Sequence, residues 1–451
     1  MKQNLQDLTE GSLAKKIVLF SIPLIASNLL QVLFNMADIA VVGQFAGSLA
    51  LGSVGSTATL IAMFTGFLIG VSSGINVLVA LSYGAKDKKG LKQTVHSALI
   101  VSIITGFVLM FVGIFFVEAI LRLLNTKEEL LPGAVLYVRI YCMGMPAMAI
   151  YNFGNAVFSA VGDTKRPLFY LSMSGVLNLI LNLFLVIVCK MDVAGVAIAS
   201  AVSQCMAAIL ILAALFKSKE DFALRLTDLK LNKKRAMAII SIGIPAGMQN
   251  AIFQIANLFI QAGVNTFSVT MVSGNSAAAN ADALVYDVMA AFYTACGSFM
   301  GQNHGAGKKD RVLKSYFISL AYSFGIGMLM GVTLVCFGKQ FLGLFTRDAA
   351  VIEAGMYRLT IMGLSYGVSA FMDCTIAATR ALGKSLVPTI IVIMGSCVFR
   401  VIWVYTIFAY FHTIPSLYLL YVFSWSITAI AEIAYFVSVY RKTFKTQPAA
   451  A

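Results

Sequence analysis

Asn28, Gln31, Asn35 and Asp38 recur every three or four residues within the first long apolar stretch of the chain. On a helix, that spacing puts them on one face. The remaining residues are apolar, so the stripe is a costly feature. A carboxylate at membrane depth costs about 2.5–3.5 kcal/mol on insertion scales and therefore faces a bundle interior or a wet cavity. There it can bind a proton or a cation. Asn28 fits equally well as a hydrogen-bonding group between helices, since carboxamides bond across membrane helices. A lone acid is a poor adhesive, which favours a functional reading for Asp38.

Three further residues could complete such a site. Asn178 and Asn182 lie four apart in the fifth apolar stretch, and Ser200 follows the small-residue run Ala194-Gly195-Val196-Ala197 in the sixth. Such a run permits close helix approach. With Asp38 they could form an oxygen-rich pocket that either protonates the acid or holds Na⁺ on Asp38, Asn178 and Asn182; spacing leaves both open. The seventh stretch carries a matching stripe without an acid: Asn250, Gln254, Asn257, Gln261 and Asn265. It reads as cavity lining or as interhelical bonding. The other deep acids are Asp282, Asp287, Asp373 and Glu432. Asp282 is expected to be solvated near a span end, and Asp287 and Asp373 to contact cation or substrate. Glu432 is expected to pair with a base near the cytoplasmic end. Arg139 and Arg358 follow Tyr137 and Tyr357 in the two halves and suit ion pairing or snorkelling. Arg400 could neutralise Asp373.

The elements that must position these groups follow from composition. Of 451 residues, 59% are hydrophobic and 12% charged; a soluble domain has about 25% charged residues. This is a polytopic membrane protein. At about 20 residues per span, the apolar stretches predict spans near 17–42, 52–80, 93–117, 133–160, 167–190, 193–216, 236–265, 274–300, 312–336, 351–380, 386–411 and 416–440. The formal charge of +14 resides in short loop clusters, which fits orientation in a membrane and not a nucleic-acid partner. Lys15-Lys16, Lys86 to Lys92, Lys165-Arg166, Lys217 to Arg235, Lys308 to Lys314 and Arg441-Lys442 all fall on one side. Both termini are therefore expected to be cytoplasmic, in the plasma (inner) membrane. The seven cysteines form no CxxC pair and read as small hydrophobes. His96, His304 and His412 lie in loops or near span ends without a ligand cluster. The first apolar run is too long for a signal peptide and is expected to stay in the mature protein. The 32 Phe, 21 Met and 17 Tyr suit greasy cations, though such residues mostly face lipid or core.

An internal repeat organises the spans. Ser21-Ile22-Pro23 is echoed by Gly243-Ile244-Pro245, and Tyr83-Gly84-Ala85-Lys86 by His304-Gly305-Ala306-Gly307. Val161-Gly162-Asp163-Thr164-Lys165-Arg166-Pro167 is echoed by Leu382-Gly383-Lys384-Ser385-Leu386-Val387-Pro388. The separation is about 221 residues throughout, as expected of a duplicated transporter half. The fold class that follows is an all-α membrane protein, with two six-helix bundles related by a pseudo-two-fold axis along the membrane normal. Its expected divisions are a cytoplasmic segment 1–16, a lobe 17–216, a linker 217–235, a lobe 236–440 and a tail 441–451. Such a design suits alternating access about a central site.

With these residues in view, the chain resembles the multidrug and toxic-compound extrusion (MATE) transporters. The matching pieces are Ile22-Pro23, Leu33-Phe34-Asn35-Met36-Ala37-Asp38, Tyr83-Gly84-Ala85-Lys86, Val161-Gly162-Asp163-Thr164, Gly243-Ile244-Pro245-Ala246-Gly247 and Gly301-Gln302-Asn303-His304-Gly305-Ala306-Gly307. The stretch around Asp38 is most similar to the prokaryotic DinF-like branch. The resemblance implies two six-helix lobes and efflux of organic cations against inward H⁺ or Na⁺. It makes Asp38 the first-helix aspartate, Asn178 the fifth-helix asparagine and Ser200 the hydroxyl of the cation site. Asn182 departs from it, standing where that branch often carries a second aspartate. The seventh-helix acid of the NorM-like branch is absent, with Gln254 or Gln261 nearby, and Asp373 lies near that branch's tenth-helix aspartate.

The expected function is antiport of amphiphilic, cationic compounds by a monomer with no cofactor beyond the coupling ion. The alternative is a lipid-linked precursor or polysaccharide flippase, which would need more deep cations than Arg139, Arg358 and Arg400. An integral membrane enzyme would need a metal or nucleophile signature, and none is found. ATP hydrolysis would need G-x-x-x-x-G-K-[ST], which is also missing.

Overall fold

The computed structural model describes residues 7–445, and no strand occurs among them. The outermost parts of the expected terminal segments, 1–6 and 446–451, lie outside the described residues. The helices are α1 (Leu13–Ser56), α2 (Ala58–Gly84), α3 (Lys88–Leu123), the bent pair α4 (Leu131–Met143 with Met145–Ala160), α5 (Lys165–Val188) and α6 (Asp192–Lys217). They continue as α7 (Lys233–Val264), α8 (Val269–Gly305), α9 (Lys309–Leu342), the bent pair α10 (Ala349–Gly363 with Tyr366–Ala381), α11 (Leu386–Phe411) and α12 (Ile414–Phe444). Ten are single helices long and apolar enough to span a membrane, and each bent pair supplies one more span. The bends, 48° in α4 and 47° in α10, fall at matching places in the two halves.

The loop expected at 43–51 is instead helical. After Val41 the chain widens into a π-helical turn, Val42–Ala46, and Gly47 (φ +84°) redirects it into a further ten-residue helix ending at Ser56. An uncharged, small-residue stretch keeps its backbone bonds this way. The echoed loop motifs prove to be the same turns. Gly162 (φ +91°) and Gly383 (φ +78°) occupy one left-handed position, and Lys86 (φ +54°) and Gly307 (φ +69°) another. The repeat thus records turns that a residue without Cβ serves best.

Two compact units emerge, and α1 and α7 each contribute to both. One contains 26–251, and the other 8–25 with 252–445. Each long helix that carries an echoed proline changes unit shortly after it: α1 after Ile25 and α7 after Ala251. The reason is packing. In the second unit, Leu13, Ile17, Phe20 and Leu24 are buried against Ala291, Phe292, Ala295 and Phe299 of α8. In the first, Gly70 and Gly74 of α2 meet Gly243 and Gly247 of α7 backbone to backbone, the close approach that small residues four apart allow. Asn250 Nδ2 seals that contact by donating to Gly66 O at 2.9 Å.

The linker is not a loose connector. Phe222 and Leu224 are buried in the core of the first unit. Lys92 pairs with Asp228 at 2.7 Å, and Lys88 with Asp221 at 3.1 Å. Ser97 Oγ accepts from Asn232 N at 3.0 Å. His96, expected near a loop, is buried inside α3 and braces Arg225, whose N lies 3.1 Å from Nε2. Its only helix is a short 3₁₀ turn, Leu226–Asp228. Cys205 and Cys336 on the helices, and Cys189 just past the end of α5, are exposed rather than buried.

Within the second unit, Asp282 corrects the expectation of a solvated span end. It is 9% exposed and paired with Arg358, whose Nε donates at 2.9 Å and whose Nη2 donates to the same oxygen. Tyr366 OH donates to the other oxygen. Arg358 Nη1 and Tyr418 OH both donate to Asn275 Oδ1, at 2.6 and 2.8 Å. Span-end placement suggested water for Asp282, but its partners come from helices distant in sequence. Arg139, the related arginine, is exposed and donates to Ile114 O at 3.2 Å.

Two stability predictions arise. A Cβ on Gly331 would lie 1.9 Å from Gly363 O, whereas one on Gly325 meets nothing within 4 Å. Gly331→Ala should therefore lower detergent-phase stability by about 1–3 kcal/mol and Gly325→Ala should not; equal thermal melts would contradict this packing. Breaking a buried pair costs about 3–5 kcal/mol, so Arg358→Met should destabilise severely. Adding Asp282→Asn should recover part of the loss, and a melt for Arg358→Met matching the parent protein would show the network to be dispensable.

Candidate functional site

Asp38 lies in α1, one turn before the π turn, and Asn182 sits just before the matching π turn of α5, Phe184–Val188. The two π turns touch each other. Such turns displace a side chain's register without breaking the helix, and they recur at functional sites. Here they bracket the groups that meet. Asn182 Nδ2 donates to Asp38 Oδ1, and Ser200 Oγ donates to Asp38 Oδ2 at 3.3 Å. Asn182 Nδ2 also donates to Asn178 Oδ1 at 3.1 Å, and Asn178 Nδ2 to Ser200 Oγ at 3.4 Å. The four residues form one connected cluster from three helices.

Its burial is graded. Asn182 is fully buried, Asn178 and Ser200 are nearly so, and Asp38 is half-buried. No basic side chain forms an ion pair with Asp38 among the described residues. Asn182 Oδ1 is buried without a hydrogen-bond partner, a costly arrangement for a carbonyl oxygen. The cluster thus offers a carboxylate, two carboxamide oxygens and a hydroxyl, the donor set for a proton or a hard cation. A carboxamide is assigned from its bonding pattern, and the pattern here turns the NH₂ of Asn182 toward the ionised acid.

The sequence reading missed two tyrosines. Tyr137 and Tyr141 of α4 are buried, stack at 5.9 Å and lie within electrostatic reach of Asp38. Gln204 of α6 comes in beside them, with its Oε1 buried and without a hydrogen-bond partner among the described residues. Their signal was available, since they are four residues apart on one helix face. Gly144, at the bend of α4, lets Gln204 come close: a Cβ there would lie 2.4 Å from its Oε1.

The remaining candidates do not join this cluster. Gln31 and Asn35 are exposed on the same helix as Asp38. The α7 stripe divides its work. Asn250 bonds α2 as described, and Gln261 donates to Asn265 Oδ1 at 2.8 Å while accepting from Asn275 Nδ2 at 3.4 Å. Asn250 and Gln261 thus bond between helices, while the Gln261–Asn265 bond is local to the end of α7. Gln254 is half-buried and Asn257 exposed. In the second unit, Asp287 and Asp373 are half-buried. Arg400 does not neutralise Asp373 by contact. Its Nε donates to Ser424 Oγ at 3.0 Å, and the rings of Tyr421, Phe253 and Trp425 surround the guanidinium at 4.6, 5.4 and 5.9 Å. Aromatic faces hold that cation in place of an acid. Glu432, expected in an ion pair, has none among the described residues.

Comparison with known proteins supports this architecture. The MatE family model matches residues 23–184 and again 245–406, so the duplicated halves are two copies of one family unit. The chain is 29% identical over 391 residues to a "Probable multidrug resistance protein YpnP" of Bacillus subtilis, covering 85% of this chain and 87% of that protein. It is 24% identical to a "Probable multidrug resistance protein NorM" of Thermotoga maritima, covering 84% and 82%. It is 25% identical to an "FAD transporter" of Shewanella oneidensis, covering 74% and 75%. Among solved structures, an outward-facing multidrug resistance MATE family transporter of the MOP superfamily superposes with a TM-score of 0.90 at 22% identity, over 99% of this chain and 100% of that one. On the family match across both halves, this chain belongs to the MatE family of multi-pass membrane transporters.

Proposed function

We propose that the protein is a plasma-membrane antiporter, with both termini cytoplasmic, that exports amphiphilic organic cations in exchange for protons taken up at Asp38. The observation that carries this reading is the Asp38 cluster: an acid inside a helical bundle, contacted by donors from Asn182 and Ser200 and by no base. The sequence relatives named for multidrug resistance support the export of drug-like molecules.

The geometry suggests how binding one proton would be felt. The ionised carboxylate accepts two hydrogen bonds. On protonation it becomes a donor and needs an acceptor. The unpartnered oxygen of Asn182 provides one after a half-turn of its carboxamide. Asn178 would then lose its bond from Asn182, and the change would pass from α1 to α5 and α6. A second acid at 182 would instead hold two charges together; asparagine leaves a single ionisable group to carry the exchange. Na⁺ is the second reading. The same free carbonyl oxygen, with Asp38 and Asn178, could ligate it, provided that the Asn182 carboxamide turns.

Asp38→Asn should express normally and confer no drug resistance in a pump-deficient host; full resistance would remove Asp38 from the mechanism. Asn182→Leu deletes a hydrogen bond to a charged group, worth about 1.5–3 kcal/mol, and should slow efflux roughly tenfold or more. Efflux should be scored in proteoliposomes with a substrate panel of ethidium, norfloxacin and FAD. Transport should survive omission of Na⁺ and stop when the pH gradient is collapsed; dependence on Na⁺ alone would favour the metal reading.

A further inference from the structure

The second unit contains an acid that the Asp38 mechanism does not use. Glu432 lies on α12, which packs against the second segment of α10, and it is fully buried. Both of its carboxyl oxygens lack a hydrogen-bond partner among the described residues. The hydroxyls one and two turns back are occupied. Thr428 bonds Ser396 Oγ at 2.9 Å, and Ser424 serves Arg400. The groups that act on Glu432 electrostatically are few. Arg380, at the end of α10, attracts it without forming a contact ion pair, and Tyr435 follows it on its own helix. Asp373, two turns before Arg380, shares the field of that arginine. Of the other charges on the elements packed against α12, Arg358 is held by Asp282, Arg400 by Ser424 and aromatic rings, and Glu353 is exposed. Arg400 Nη2 is left unpartnered among the described residues, while Arg380 has a further partner of its own. His304 of α8 lies against Phe444, farther along α12.

An ionised carboxylate, buried and without a single hydrogen bond, is among the least favourable arrangements in a protein interior. A neutral carboxyl is far cheaper, and a nearby arginine that stops short of contact is where the ionised form would go. We propose that Glu432 is a second proton-binding site, separate from Asp38 and occupied in this conformation. On release, the proton passes to water and the carboxylate closes on the Arg380 guanidinium, forming the ion pair that the present conformation leaves open. Glu432 and Arg380 thereby make a two-state switch between α12 and α10, and it would stand even if Asp38 proved uninvolved in transport.

Infrared pH titration of the full-length protein in lipid nanodiscs tests this. Wild type should show a protonated-carboxyl carbonyl band that bleaches as pH rises. Glu432→Gln should lack that band, and Asp38→Asn should keep it. Arg380→Gln should move its midpoint upward by about one pH unit or more, while Arg380→Lys should leave it near the parent value. A band that persists in Glu432→Gln, that disappears only in Asp38→Asn, or whose midpoint ignores Arg380→Gln overturns the proposal. Should Glu432→Gln fail to fold, Glu432→Asp must shift the band's frequency, and an unshifted band counts equally against it.

Discussion

A carboxylate cannot sit in an apolar helical bundle without partners, and the partners it finds set what the first unit can do. Asp38 is held by donors and not by a base. A permanent cation such as arginine would lock it in one charge state. Amide and hydroxyl donors stabilise the anion yet leave it able to accept a proton. The rest of the unit serves that arrangement. The π turns of α1 and α5 set the register of Asp38 and Asn182, and the small residues before Ser200 let α6 approach.

The second unit handles its buried charges differently. Arg358 and Asp282 form a closed network with Asn275, Tyr366 and Tyr418. Arg400 is held by rings. The two halves are copies of one family unit and share turn positions and the place of a bend, but not their polar interiors. Duplication kept the backbone devices, which any sequence with the right glycines can satisfy. The ionisable residues diverged, because each must be satisfied by neighbours specific to its own half.

That difference also explains what the sequence could reveal. Helix number and the repeat were legible because apolar length and glycine-marked turns are local signals. The Asp38, Asn178, Asn182 and Ser200 cluster was legible because an acid in an apolar helix is rare and its partners have helical spacing. Asp282 was misread because Arg358 lies on a helix far along the chain, and spacing cannot show such a pairing. Tyr137 and Tyr141 were overlooked because aromatic residues are too common in a membrane chain to stand out. The unit boundaries inside α1 and α7 carry no compositional mark, since a helix that changes neighbours midway remains uniformly apolar.

In the proposed antiport, substrate binding is coupled to loss of the proton on Asp38. Proton release during substrate binding measures this directly, using purified protein in weakly buffered, Na⁺-free detergent solution. The account predicts release of about one proton per bound substrate from wild type, and none from a variant that lacks the α1 carboxylate. Substrate binding with no proton release, or with release that survives loss of that carboxylate, would contradict it.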